Sequence, residues 1–123
     1  MILTIISPDK TSLSMFLDFY KTIYDCDVKI FILNSLFSQE VIEQKVEEAL
    51  KVDKDSDDLK FIIYKTKPQT KIVPESVLKA SLAVIKFDIY SYTPEIIKNE
   101  DQENKIKSIL DRWNTNMERM NKG

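Results

Sequence analysis

The sequence predicts an α/β domain: a three-layer sandwich in which helices cover both faces of a four-stranded, mainly parallel sheet. Three observations predict it. Strand-like runs alternate with amphipathic segments of helical period, in the order βαβαβαβα. Three of the runs are almost continuously apolar, the pattern of strands covered on both faces. The fourth alternates, the pattern of a half-exposed edge strand. The alternative is an α+β arrangement with a mixed sheet, its last two strands antiparallel, because the chain between them is short for a crossover.

Met1–Ile6 is the first apolar run, ended by Ser7-Pro8-Asp9. Ser7 can cap a helix, Pro8 suits a first helical position, and Asp9 complements the positive end of the helix dipole. Leu13, Phe16, Leu17, Tyr20, Ile23 and Tyr24 then recur at helical spacing over about four turns. Val28–Leu33 is the second strand, closed by Asn34-Ser35. Ser38 opens a helix with Val41, Ile42, Val46, Ala49 and Leu50 inward and Glu40, Glu43, Gln44, Glu47 and Glu48 outward. Asp53–Asp58 is an acidic turn before the third strand, Leu59–Tyr64, and Lys65–Lys71 is a lysine-rich loop containing Pro68. Pro74 starts a helix whose apolar face is Val77, Leu78, Leu82 and Ile85. Lys86–Tyr92 is the alternating strand, with Tyr90 and Tyr92 on its polar side. Thr93-Pro94-Glu95 turns into a last helix from about Asn99 to Met120, striped by Ile106, Ile109, Leu110, Trp113, Met117 and Met120.

The 123 residues make one domain over 1–123, able to bury roughly two-thirds of its unfolded surface without a disulfide or metal. What is missing narrows the chemistry. The chain has no histidine, a single cysteine (Cys26) and a single glycine (Gly123). An intrachain disulfide and a Cys/His zinc site are excluded, and a reducing, cytoplasmic setting is expected. No apolar run approaches the length of about 20 residues that a membrane span needs, and Met1–Ile6 is too short and lacks a basic flank for a signal peptide. Net charge is −2, and 16 of the 18 basic residues are lysine, so duplex nucleic acid is not the expected partner. Sixteen isoleucines beside three alanines are expected from the codon bias of an AT-rich genome, such as those of phages, other viruses, low-GC bacteria and some eukaryotic parasites.

Lys10-Thr11 stands between a strand and a helix, where a phosphate-binding loop ends in Lys-Ser/Thr, but the glycines that let such a loop wrap a phosphate are absent. The acids of Asp53–Asp58 alternate like the start of a calcium loop, yet Asp58 stands where the sharp turn needs glycine and Tyr64 where a bidentate glutamate belongs. In an open parallel sheet, ligands gather outside the carboxyl ends of the strands. There Asp9, Lys10, Thr11, Asn34 and Lys67 form the candidate ligand set. The candidate protein interface is Tyr90 and Tyr92 with Trp113, Met117 and Met120, residue types enriched at such surfaces. The expected function is a small, non-catalytic regulatory or adaptor domain that binds another protein or a second copy of itself, without cofactor or metal. The alternative is a small-ligand or nucleotide binder using the strand-end loops.

Overall fold

The computed structural model describes residues 1–7, 10–56, 58–66, 73–87 and 93–122; for Lys10, Thr11, Asn121 and Lys122 it describes the backbone alone. The elements run β1 (Ile2–Ser7), α1 (Lys10–Tyr24), β2 (Ile30–Asn34), α2 (Gln39–Asp55), β3 (Lys60–Lys65), α3 (Glu75–Ala80), β4 (Ala83–Lys86), β5 (Glu95–Asn99) and α4 (Lys105–Lys122). They build one five-stranded sheet in the order β2-β3-β1-β4-β5. The first four strands in that order are mutually parallel, and β5 lies antiparallel on β4. The α/β class with a mainly parallel sheet is therefore present, with one antiparallel strand added.

Side-chain alternation along β1 divides the core into two layers. Leu3 and Ile5 join Phe61, Ile63, Ala83 and Ile85 beneath α1 and α4. Ile2 and Ile6 join Ile62, Tyr64 and Val84 beneath α2 and α3, which contribute Ile42, Val46, Ala49 and Val77. Thr4, on this second face, is fully buried. Its hydroxyl meets Ser81 Oγ at 2.5 Å, and Ser81 donates onward to the Val77 carbonyl at 2.6 Å. Thr4 is thus the donor of the pair, and both buried hydroxyls are satisfied.

The second half of the chain departs from the sequence expectation. The helix after Pro74 stops at Ala80, and Ala83–Ile85 pair with β1 as a fully buried strand. Leu82 and Ile85 match helical spacing by chance; the open place beside β1 decides their conformation. Of the alternating run expected as the edge, residues 88–92, with Tyr90 and Tyr92, lie outside the described residues. The edge on this side is β5, in a segment expected to lead directly into the last helix. Its register against β4 shifts between Val84 and Ile85, leaving Ile97 as the extra residue of a bulge. Helix α4 starts later than expected because Asp101 caps it, accepting from Ile106 N–H at 2.8 Å and Glu103 N–H at 3.1 Å. Asn104 takes the left-handed conformation (φ 59°) just before the first helical residue, a position asparagine tolerates well.

Candidate functional site

The chain leaves β1 into α1 on one face of the sheet, and leaves β2 and β3 into α2 and α3 on the other. Adjacent β1 and β3 therefore diverge at their carboxyl ends, the geometry that opens a crevice in α/β sheets. Of the five residues expected to share it, the side chain of Asn34 alone is among the described ones. Asp9 and Lys67 lie outside them, and Lys10 and Thr11 are placed only as backbone of the first turn of α1. Asn34 is committed to its own turn. Its Oδ1 accepts from Leu36 N–H at 2.9 Å, its carbonyl accepts from Phe37 N–H at 2.9 Å, and Ser35 N–H ties the turn to the Lys65 carbonyl at 2.9 Å. Asparagine serves here as the residue of an Asx-turn.

The acidic stretch after α2 is equally committed. Asp53 Oδ1 accepts from the Met1 ammonium and, at 3.0 Å, from Lys60 Nζ, which also donates to the Ser56 carbonyl. Lys60 is 1 % exposed. These contacts pin the end of α2 to β3, and among the described residues no group of three or more acidic or cysteine side chains is arranged to hold a metal ion.

The expected interface on α4 also needs correction. Trp113 and Met117 are core residues, 1 % and 8 % exposed. Trp113 sits edge-on to Phe16 (centroids 5.3 Å apart), Phe19 (5.4 Å) and Phe87 (6.2 Å). Helix α1 and Phe87, just past β4, supply the aromatic cover that the sheet alone lacks. Met120 alone of the three is exposed, near Asn116 Nδ2 at 3.9 Å.

Exposed apolar side chains lie elsewhere, Ile96 and Ile97 of β5 among them. Ile30 and Ile32 of β2, Leu36 and Phe37 of the following turn, and Val41 of α2 are all exposed, Leu36 at 84 %. Strand β2 is the edge of the sheet opposite β5. The Lys29 carbonyl accepts from Phe61 N–H at 3.0 Å, and Ser35 N–H points the same way. Peptide groups of alternate residues face one side of a parallel ladder. Those of Ile30 and Ile32 therefore face away from the sheet, and no strand pairs with them among the described residues.

Beside this edge, at the carboxyl ends of β2 and β3, lies a cavity of about 590 Å³ between the first turns of α2 and α3. Phe37, Ile42, Tyr64 and Pro74 supply its apolar surface, and Glu43 and Lys79 its charges. Sequence reasoning missed both features, having read Val28–Leu33 as an interior strand. The available signal was Leu36-Phe37, two large apolar residues in a turn, where polar residues are the rule. No family model, curated protein or solved structure matches the chain.

Proposed function

We propose that this chain is a non-catalytic interaction domain that takes up an extended segment of another protein along the open edge of β2. The observation that carries this reading is the pair Ile30 and Ile32, exposed on an edge strand whose outward peptide groups lack a strand partner among the described residues. Added strands gain main-chain hydrogen bonds from such an edge and side-chain specificity from the pockets beside it. Proteins normally blunt exposed edges with charge, proline or a bulge. The opposite edge does so. β5 is bulged at Ile97, and Lys98 Nζ is drawn back onto the carbonyls of Leu78 (2.5 Å) and Ser81 (2.8 Å). β2 has none of these devices within Ile30–Asn34.

The test is selection of peptides from a random displayed library against the folded chain, followed by amide exchange on the complexes. Bound peptide should protect the Ile30 and Ile32 amides, and Ile32→Lys should weaken binding at least about tenfold. Selected peptides that bind the Ile32→Lys variant as tightly as the original chain overturn the reading.

A further inference from the structure

Helix α2 has a side that α3 does not cover. Gln39 and Glu43 line the cavity shared with α3, so their side of α2 faces that helix. The opposite side, over the β2 edge, presents Val41, Lys45, Glu48 and Val52. Val41 and Glu48 are exposed, and Lys45 and Val52 are half-buried. Among the described residues neither Lys45 nor Glu48 is held in an ion pair. The four are spaced four, three and four residues apart. A two-fold axis crossing α2 between Val46 and Glu47 therefore exchanges Val41 with Val52 and Lys45 with Glu48. The row complements its own antiparallel copy, apolar at both ends and oppositely charged in the middle.

The β2 edge is self-complementary about the same axis. Its outward peptide groups belong to Ile30 and Ile32, whereas the Asn34 carbonyl already accepts from Phe37 N–H. An antiparallel second copy, with the axis at Phe31, sets Ile30 against the partner's Ile32 and joins the free groups in four hydrogen bonds. The heights agree. Ile42 lines the cavity with Tyr64, the register partner of Leu33. From Leu33 back to Phe31 is about 6.6 Å of strand, the rise of roughly 4.4 helical residues from Ile42. That point falls between Val46 and Glu47. The widths agree too. Helix α2 packs on both β2 and β3, so with strands about 4.8 Å apart it stands about 5 Å from the axis. The two copies of α2 then lie about 10 Å apart, a normal spacing for packed helices. On the other face Ile30 and Ile32 cover the partner's Ile32 and Ile30.

We infer that the chain forms a two-fold homodimer in which β2 pairs antiparallel with β2 of a second copy and α2 packs on α2. Two sheets of five strands become one of ten, closed at both ends by the bulged β5. The dimer takes from the edge reading only the outward peptide groups, for which a second copy and an extended segment of another protein compete.

Sedimentation equilibrium of charge-swapped chains tests this. The original chain should self-associate. Lys45→Glu brings two acids together across the axis, and Glu48→Lys two bases. Each should raise the dissociation constant about tenfold, with the melting midpoint unchanged, because both positions lie outside the core. An equimolar mixture of the two variants should regain the original affinity, since every swapped side chain then meets its opposite. A chain still monomeric at about 1 mM, a single variant that dimerises as tightly as the original, or a mixture no tighter than its components overturns the inference. Peptide selection decides the edge reading separately. A monomer that takes peptides overturns the dimer and keeps that reading; a dimer that obeys the charge swap and takes none does the reverse.

Discussion

Asp53 shows how one carboxylate can tie two distant parts of a fold. Burial by itself raises its pKa, but hydrogen bonds from the Met1 ammonium and Lys60 outweigh that and hold the carboxyl below the usual aspartate range. A folded-state pKa below the unfolded value of about 3.9 adds stability that is fully present above that pH. It is lost as pH falls through the lower, folded value. Acid titration of the chain should therefore show a loss of stability below about pH 4 that Asp53→Asn removes. At neutral pH the same variant should cost roughly 2–3 kcal/mol by denaturant unfolding, because Lys60 is left buried with only the Ser56 carbonyl. Adding Lys60→Met should restore most of that loss, since an apolar side chain of similar length needs no partner. The sequence hid this pair. Asp53 sits in a run of four aspartates that reads as a solvated turn, and only the folded register brings it to Lys60.

At the scale of elements, what was legible followed from period. The stripe of α4 was plain because Ile106, Ile109, Leu110, Trp113 and Met117 recur on one helical face, and all five are buried. The end of the stripe was not, since spacing says nothing about how far a neighbouring element reaches. The structure separates the two methionines. Met117→Gln should lower stability by roughly 2 kcal/mol, whereas Met120→Gln should change it by less than about 0.5 kcal/mol, both read from thermal or denaturant melts. Trp113→Ala, which empties the centre of the aromatic cluster, should cost about 3–5 kcal/mol. Strands β4 and β5 were illegible for a different reason. β4 is only four residues long, and the bulge at Ile97 breaks the alternation by which β5 could have been found. The helix α2 shows the same limit in miniature: Val41 and Leu50 fit its apolar period but are exposed, because only Ile42, Val46 and Ala49 lie over the sheet.

Seen as a whole, the molecule has two unlike edges, both with exposed isoleucines, one bulged and one of regular register. Ile32→Lys puts a charge on the unbulged edge without touching either core layer. It should leave the melting midpoint within about 3 °C of the original chain. It should also raise the concentration at which sedimentation first detects self-association. The candidate site was legible only as a region, the carboxyl ends of the strands, because topology alone points there. Which residues occupy that region depends on turns such as Asn34–Phe37, whose side chains were read for their chemistry when their main task is to close the turn.

The central strand carries one last consequence, which concerns time. β1 is buried along its whole length between β3 and β4, and both partners lie far ahead in the chain: Ile2 pairs with Lys60, and Leu3 with Ala83. A ribosome adding roughly 5–20 residues per second makes β1 about 4–16 s before β4 exists to flank it. Until β3 follows, late in that interval, the run Ile2–Ile6 has no native ladder, and both ladders that will flank it must close a long loop. The strand that is best protected in the finished sheet is thus the one that waits longest, unpaired, while the protein is being made.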